Sequence, residues 1–326
     1  MGKIYLVFTG GTISMKMDNS NHSVVPALSA SEVMSSLLLS FHEYELEMIE
    51  FSKLPSPSIT PPIMLELSQL VSRLLDEIDT TGVVVVHGTD TLEETAFFLD
   101  TVLGQQKPVV VTGSMKSSSE LGYDGINNLV SSILVCMDSE SIGKGVLVVL
   151  NDQINAASEV TKTNTLSLDT FKSLDFGPLG IVDNRQVIYY RSVNFKRPVI
   201  TTDRIEENVF LLKVCSGTDS KLIDYFLSGL NAKGIVLEAL GRGNVPPQML
   251  PGIKRALAAA IPVVITSRCP SGRVFDTYGY EGGGKHLTSL GCIIAPNLNG
   301  QKARLLLMLS LAKAYKRDDL IRIFQI

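Results

Sequence analysis

With 326 residues, the chain is long enough for two domains of about 150 residues each. Hydrophobic residues make up 45% of the chain and charged residues 19%, which predicts a large buried core and excludes an intrinsically disordered protein. The 29 lysines and arginines are outnumbered by 33 aspartates and glutamates, and no basic run is long enough to bind nucleic acid, so we expect a small-molecule partner.

The N-terminal segment MGKIYLVFTGG is predicted to be a short strand followed by a turn. It lacks the apolar core of about 7–15 residues and the cleavage site of a signal peptide, and no run approaches the ~20 apolar residues that span a bilayer. We therefore expect a cytoplasmic protein with no membrane partner.

The histidines and cysteines show no metal-ligand spacing, so we expect no metal and no cofactor. The cysteines are expected to be buried free thiols: Cys136, Cys215, Cys269 and Cys292.

The N-terminal half alternates apolar β-rich runs with segments of helical periodicity. Predicted strands lie at 3–8, 44–51, 83–87, 108–112 and 145–150, and predicted helices lie at 29–40, 61–78, 92–99 and 127–137. Thr60 and Pro61 are typical of the N-cap and first turn of a helix. Because the strands are continuously apolar, we expect a mostly parallel sheet covered by helices on both faces.

A second alternating series follows a predicted hairpin, whose turn is at residues 183–184, and a polar connector. Strands are predicted at 209–214, 234–240, 262–267 and 292–296, and helices near 219–230, 247–260 and 300–313. The sequence thus predicts an α/β protein with two doubly wound, mostly parallel-sheet domains. The predicted limits are 1–190 for a larger N-terminal catalytic domain, 191–207 for a linker and 208–326 for a smaller C-terminal domain.

Polar residues and glycines follow four of the N-terminal strands. The segments are TGGTIS (9–14), HGTDT (87–91), TGSMK (112–116) and NDQINAASEVTKTNT (151–165). In open α/β sheets, ligands bind beyond the carboxyl ends of the strands, at the point where the strand order reverses. A ligand is therefore expected at these four segments.

The segment TGGTIS has several interpretations, of which an ordinary strand turn is the simplest. A glycine-rich turn that binds phosphate requires a helix to begin at once, whereas Thr12 is followed by a polar stretch that ends in Pro26. This argues against a phosphate or dinucleotide site. In the remaining interpretation, Gly10 and Gly11 allow close backbone approach to a ligand, Thr12 presents its hydroxyl, and the polar stretch closes as a lid.

The segment HGTDT places a hydroxyl beside a carboxylate at a strand end. Asp90 or Thr91 could cap the following helix, but Thr89 with Asp90 also offers a nucleophile or water activator next to a group that suits a substrate ammonium. A threonine is a weak nucleophile unless a neighbouring base takes its proton. Lys162 is a candidate for that base if it is buried near the threonine, and otherwise it is an ordinary surface lysine.

With these motifs the sequence resembles the bacterial-type L-asparaginases, including the glutaminase-asparaginases. TGGTI and HGTDT are the two signatures of that family. The similarity continues through EETAFFLD, KPVVVTGSM, DGINNL, GVLVVLND, EVTKTNT, FKSLDFGPLG, PVVITS and QKARLLL, so it covers nearly the whole chain. It implies two α/β domains and a homodimer or homotetramer in which a partner's C-terminal domain closes each site.

The resemblance also implies catalytic roles. Thr12 would attack the side-chain carboxamide carbon of the substrate, forming an acyl-enzyme ester and releasing ammonia. Thr89, Asp90 and Lys162 would form the second catalytic group, which activates a threonine or the hydrolytic water. Backbone amides near Thr12 and Thr89 would form the oxyanion hole.

The same resemblance implies a set of substrate-binding residues: Gly11, Ser56, Gly88, Thr89, Asp90, Ser114 and, from a partner subunit, Asn244. Asp90 would bind the α-amino group, and Ser56 would bind the α-carboxylate, although the spacing also permits Ser58. The backbone carbonyl of Ser114 would receive the leaving amide nitrogen.

Three positions depart from the family pattern. No tyrosine occurs at 13–30, where the family's first loop often carries one, and His22 lies nearest to that place. Pro57 stands beside the α-carboxylate serine, where a polar residue is frequent. Glu281 is a candidate for the partner-supplied carboxylate, but Tyr278 or Tyr280 fits the spacing better.

The sequence therefore predicts an L-asparagine amidohydrolase that forms L-aspartate and ammonia. The alternative is a glutaminase-asparaginase with broad or predominant glutamine activity, because one methylene changes binding by only ~1 to 3 kcal/mol in an apolar pocket. Two other functions are less consistent with the sequence. An amidotransferase subunit would need a further domain for a second substrate, and none is predicted. A non-catalytic amino-acid sensor need not retain Thr12, Thr89 and Lys162 together, and all three are present.

Overall fold

The computed structural model describes residues 2–11, 44–104, 106–193 and 199–325, together with the backbone of two short strands at Met15–Asp18 and Ser23–Pro26. The chain divides into two compact units, Met1–Asn194 and Phe195–Ile326. Each unit contains one main, mostly parallel sheet with helices packed against it, so the predicted α/β class is confirmed. The predicted linker at 191–207 stays a prediction, and the predicted helix at 29–40 lies outside the described residues.

The N-terminal unit contains an eight-stranded sheet and three described helices. The strands are β1 (Gly2–Phe8), β2 (Met15–Asp18), β3 (Ser23–Pro26), β4 (Tyr44–Glu50), β5 (Thr80–Val86), β6 (Val109–Thr112), β7 (Val146–Leu150), β8 (Gln153–Ala156), β9 (Thr161–Lys162), β10 (Phe171–Lys172), β11 (Gly180–Asp183) and β12 (Gln186–Tyr189). The helices are α1 (Pro61–Asp76), α2 (Leu92–Val102) and α3 (Gly125–Met137). The strands and helices predicted for the described residues are confirmed to within a few residues.

The four valines of β5 are buried on both faces of the sheet, which is why the strand is continuously apolar. Val84 and Val86 pack in a core cluster with residues of α3, whereas Val83 and Val85 pack in a second cluster with residues of α1 and α2. All four side chains are fully buried. Each contributes about 1.5–3 kcal/mol through removal from water, so helices on both faces stabilise the central strand.

The strand order of the large sheet reverses at β1. The order is β12-β11-β8-β7-β6-β5-β1-β4, and β4, β1, β5, β6 and β7 run parallel. The chain first places β4 on one side of β1 and later places β5 on the other. The loops after β1 and β5 therefore flank the crevice at which open α/β sheets bind ligands.

The C-terminal unit contains a four-stranded parallel sheet in which spatial order follows chain order, β13-β14-β15-β16. Its strands are β13 (Val209–Lys213), β14 (Gly234–Ala239), β15 (Val263–Ser267) and β16 (Ile293–Ile294). Its described helices are α4 (Lys221–Ser228), α5 (Leu250–Ala258), α6 (Gly284–Leu290), α7 (Gly300–Ala312) and α8 (Arg317–Phe324). The strands and three of these helices match the prediction, whereas α6 and α8 were not predicted.

The cysteines are all free thiols, but their burial differs. Cys136 and Cys292 are buried, as predicted, and burial raises the pKa of the Cys292 thiol to about 12. The prediction is wrong for Cys215 and Cys269, which are exposed. Each lies just past the end of a strand, β13 and β15 respectively, where the chain has already left the core.

Among the described residues, no helix is long and apolar enough to cross a membrane.

Candidate active site

Two glycines bring the backbones after β1 and β5 together. Gly11 has a φ of 90°, and a Cβ on it would lie 2.4 Å from the Cα of Gly88. A Cβ on Gly88 would in turn lie 2.8 Å from the Cβ of Ser56. A side chain at either position would collide with its neighbour, and at Gly11 it would also strain the backbone. Glycine is therefore required for the crevice to close to this width.

Lys162 joins Thr89 and Asp90 at the end of β5. Its Nζ donates one hydrogen bond to Thr89 Oγ1 at 3.0 Å and another to Asp90 Oδ1 at 2.7 Å. The side chain of Lys162 is 18% exposed and that of Asp90 is 63% exposed. An ion pair this accessible adds only about 0–1 kcal/mol to stability. Lys162 lies within hydrogen-bond distance of both candidate groups of HGTDT, which its interpretation as a base requires.

The carboxylate of Asp90 does not act as a helix cap. Helix α2 begins at Leu92 with Thr91 in the N-cap position, and the Thr91 side chain makes no cap hydrogen bond. The Thr91 hydroxyl instead donates to the backbone oxygen of Ser56 at 2.7 Å. Asp90 is thus left with its carboxylate on Lys162 and largely open to solvent, where a cationic ligand could reach it.

Of the two serines that the sequence left open, Ser56 lies at the crevice. It is 4% exposed, and its Oγ accepts a hydrogen bond from the backbone N–H of Asp90 at 3.2 Å. Ser58 lies in the same single turn of 3-10 helix, but it is exposed. The turn follows Pro55, which fixes the entering backbone, so only the first serine faces the segment after β5.

His87 connects the HGTDT segment to helix α2 through hydrogen bonds of its ring. The sequence analysis did not predict this contact. It is fully buried, and its Nδ1 lies 2.7 Å from the carbonyl oxygen of Gly88. A carbonyl only accepts, so Nδ1 carries the proton and Nε2 accepts the hydrogen bond of Thr95 Oγ1 at 2.9 Å. Burial lowers the pKa of His87 from 6.5 to about 4, so the ring is neutral at physiological pH.

The carboxylate of Asp124 holds the loop after β6. It accepts hydrogen bonds from Ser114 Oγ at 2.7 Å, from the backbone N–H groups of Met115 and Lys116 at 3.0 Å, and from Asn128 Nδ2 at 2.9 Å. Asn128 Nδ2 also donates to the backbone oxygen of Gly113 at 2.9 Å. Ser114 is fully buried, and the bonds of this carboxylate to its hydroxyl and to the next two backbone N–H groups hold its backbone. The sequence analysis did not identify Asp124 as a site residue, because its position before a helix gives no sign of these contacts.

The remaining predicted residues fall outside the described part of the chain or belong to the C-terminal unit. Thr12 and His22 lie outside the described residues. Asn244 belongs to the C-terminal unit, where its Oδ1 accepts the backbone N–H of Gly284 at 3.2 Å and so connects the loop after β14 to the start of α6. In the same unit Tyr278 and Tyr280 are exposed, with ring centroids 5.5 Å apart. Within the described part of the chain, no group of three or more His, Cys, Asp or Glu side chains is arranged to hold a metal ion.

Comparisons with known proteins point to one family. The family model described as "Asparaginase, N-terminal" matches residues 3–195, and the one described as "Glutaminase/Asparaginase C-terminal domain" matches residues 208–324. The chain is 36% identical over 314 residues to a protein of Bacillus licheniformis named L-asparaginase, covering 96% of both chains. It is also 36% identical over 326 residues to a probable L-asparaginase of Deinococcus radiodurans, covering 99% of this chain and 97% of the other.

A solved structure gives the same result for the fold. It is described as a probable cytoplasmic L-asparaginase from Campylobacter jejuni, and it is 30% identical in sequence with a TM-score of 0.88. The similarity covers 100% of this chain and 99% of that one. Both units described above are therefore part of the compared architecture.

Proposed function

This chain belongs to the asparaginase family, and on that premise we propose that it hydrolyses the side-chain amide of L-asparagine to L-aspartate and ammonia. The observation that carries the proposal is the pair of hydrogen bonds from Lys162 to Thr89 and Asp90. They give a threonine hydroxyl a basic partner and place an accessible carboxylate beside it. The names of the two relatives and of the solved structure support L-asparagine as the substrate.

The first half-reaction is assigned to Thr12. Its hydroxyl oxygen attacks the carboxamide carbon, the hydroxyl proton passes to the leaving nitrogen, the C–N bond breaks and ammonia departs. The resemblance to the family supports this assignment, as does the position of Thr12 directly after Gly11, whose backbone lies against Gly88. Backbone N–H groups beside these two glycines would stabilise the oxyanion, and each such donor is worth about 3–4 kcal/mol.

The second half-reaction is assigned to Thr89 and Lys162. Water attacks the carbon of the Thr12 ester, and its proton passes to the relay formed by the Thr89 hydroxyl and Lys162. The relay returns a proton to the oxygen of Thr12 as the ester C–O bond breaks. The 3.0 Å separation of Nζ and Oγ1 is within the hydrogen-bond distance that proton transfer requires.

Substrate recognition is assigned to groups around this pair. The exposed carboxylate of Asp90 would bind the α-ammonium of L-asparagine, and the Ser56 hydroxyl would bind its α-carboxylate. The carbonyl of Ser114 would receive the amide nitrogen, held in place by the hydrogen bonds of Asp124. Asn244 of the partner subunit would complete the site in a homodimer or homotetramer, as the resemblance to the family implies.

A cytoplasmic location is part of the proposal. The Campylobacter jejuni structure is described as probably cytoplasmic, which supports it. Fractionation of the source cells tests this directly. Activity in the cytoplasmic fraction is expected, and activity released with the periplasmic contents would contradict it.

The proposed reaction is tested by measuring ammonia and amino-acid product over a concentration series of L-asparagine and of L-glutamine. We expect one L-aspartate per ammonia, and a higher kcat/KM for L-asparagine. A higher kcat/KM for L-glutamine would replace the proposal with the glutaminase-asparaginase alternative.

The assigned nucleophile is tested by two threonine variants. Thr12→Ala should remove turnover, whereas Thr163→Ala should retain it, because Thr163 is only a neighbour of Lys162 in the sequence. Ammonia release by Thr12→Ala at a tenth of the wild-type rate would contradict the assigned nucleophile.

A further inference from the structure

The ribbon that carries Lys162 is a minimal structure. Strands β9 and β10 pair only with each other, through Lys162 with Phe171 and Thr161 with Lys172. Two residue pairs form too short a ladder to fix the direction of a long side chain. Val160 and Phe171 anchor the base of the ribbon in the core, but apolar packing is non-directional. Thr163 extends the ribbon through hydrogen bonds to Thr170, and a further contact acts on the backbone of Lys162 itself.

That contact comes from Glu93, in the first turn of α2. Its Oε2 accepts a hydrogen bond from the backbone N–H of Lys162 at 2.6 Å. The Glu93 side chain is buried, with the residue 4% exposed, so the bond is shielded from water. The acceptor lies at the positive end of the α2 dipole, where an acidic side chain is favoured.

Lys162 is therefore held at both ends by one short segment of chain. Its backbone N–H binds Glu93, and its Nζ binds Thr89 and Asp90, so all three partners lie within residues 89–93. The segment is continuous with α2, whose following residues are buried. Thr89 lies in the turn that leads directly into α2, so only three residues separate it from Glu93.

We propose that Glu93 is a positioning residue for the reaction: its buried carboxylate fixes the Lys162 backbone so that the ammonium group meets both Thr89 and Asp90. The proposal rests on the function assigned above to Thr89 and Lys162. Glu93 itself does not touch the reacting atoms. Without it, the ribbon remains attached through Val160 and Phe171, but Lys162 Nζ is free to leave Thr89.

The matched variants are Glu93→Leu, Glu93→Gln and Glu94→Leu. Leucine removes the acceptor from Glu93, whereas glutamine keeps an oxygen acceptor at the same distance without the charge. Glu94 is the next residue of the same helical turn and is half-buried, so Glu94→Leu removes an equal charge from the start of α2. A loss caused only by the helix dipole would occur equally in Glu94→Leu.

The kinetic test separates kcat from KM for L-asparagine. A misplacement of about 1 Å can lower a rate by about 10²-fold, so Glu93→Leu should lower kcat by about 10- to 100-fold. Its KM should stay within about threefold, because Asp90 and Ser56 remain in place. Glu93→Gln and Glu94→Leu should keep kcat within about threefold. Equal losses in Glu93→Leu and Glu94→Leu, or a loss in KM alone, would overturn the proposal.

A crystal structure of Glu93→Leu tests the positioning without reference to turnover. The separation of Lys162 Nζ from Thr89 Oγ1 should exceed hydrogen-bond distance in Glu93→Leu and stay near 3.0 Å in Glu93→Gln. An unchanged separation in Glu93→Leu would overturn the proposal. If wild-type protein released no ammonia from L-asparagine, the proposed function would fail, while this structural comparison would still decide the role of Glu93.

Discussion

The two sheets of this chain are built from the same parallel unit but differ in strand order. In the N-terminal sheet the order reverses at β1, so the loops after β1 and β5 flank a crevice. In the C-terminal sheet each strand lies beside its predecessor, so no reversal occurs. The candidate catalytic groups Thr89, Asp90 and Lys162 lie at the sheet that reverses.

The difference extends to how polar groups are satisfied at the strand ends. Beside the crevice, Thr89 shares a hydrogen bond with Lys162, and the neighbouring His87 and Asp124 each bind backbone groups. In the C-terminal sheet the buried hydroxyl of Thr266, near the end of β15, has no hydrogen-bond partner among the described residues. Thr89 thus has a side-chain partner at its strand end, whereas Thr266 has none among the described residues.

Removal of the Lys162 ammonium should have the largest effect. Proton transfer by a positioned side chain contributes about 10²–10⁴-fold, so Lys162→Met should lower kcat for L-asparagine by about 10³-fold. Lys172→Met is the control, because Lys172 lies on β10, the other strand of the same ribbon, and pairs with Asp169. Comparable losses of kcat in both variants would show that turnover depends on the integrity of the ribbon and not on the hydrogen bond between Lys162 Nζ and Thr89 Oγ1.

A methyl group in the crevice should have the next largest effect. Gly11→Ala combines a φ of 90° with a Cβ 2.4 Å from the backbone of Gly88, so we expect at least about 3 kcal/mol of lost stability and little activity. Gly272→Ala in the C-terminal unit has a similar φ of 88°, but its Cβ would meet no atom within 4 Å. Backbone strain alone should then cost about 1 kcal/mol, measured by urea unfolding. Equal costs would argue against close packing of the crevice.

Acid should destabilise the N-terminal unit through His87. The pKa is about 4 in the folded protein and 6.5 when unperturbed, so the unfolded chain binds the proton first as pH falls. Stability from the neutral ring is complete above pH 6.5, falls as the pH is lowered from 6.5 to 4, and then levels off. Between pH 7 and pH 5 this amounts to about 2 kcal/mol. His87→Gln should lose that much less on acidification, and an unchanged pH dependence of unfolding would contradict the assignment.

The smallest expected effect concerns two buried threonines in the two sheets. Thr266→Val removes a hydroxyl without a described partner and should raise the free energy of unfolding by about 1 kcal/mol. Thr112→Val, in β6, removes a hydroxyl that donates to the backbone oxygen of Val149 at 2.7 Å, and it should lower the free energy by about 1 kcal/mol. Denaturant unfolding measures both, and a destabilised Thr266→Val would mean that its hydroxyl is satisfied in solution.

Strand positions and the site-bearing edge could be predicted from the sequence because they depend on local pattern. The valine run of β5 has the continuous apolar character that a strand buried on both faces requires, and Gly11 marked a close backbone approach. The strand ends carried the polar residues, so the segments at residues 87–91 and 112–116 were identifiable without knowing their neighbours.

Contacts between distant segments could not be predicted in the same way. Lys162 and Thr89 are 73 positions apart, and the two-residue strand that carries Lys162 is too short to produce an alternating pattern. Glu93 has the sequence position of an ordinary acidic residue in a first helical turn. Its burial and its hydrogen bond to Lys162 are visible only in the structure. Ser56 and Ser58 are equivalent in sequence and differ only in which side of one turn they occupy.

The central claim is that the Thr89 hydroxyl, supplied with a base by Lys162, takes part in amide hydrolysis. The most direct test measures kcat for ammonia release from L-asparagine by wild type, Thr89→Val and Thr266→Val, with folding verified by thermal unfolding. The account predicts a loss of at least about 10²-fold for Thr89→Val and a rate near wild type for Thr266→Val. Turnover by folded Thr89→Val at a tenth of the wild-type rate or more would contradict it.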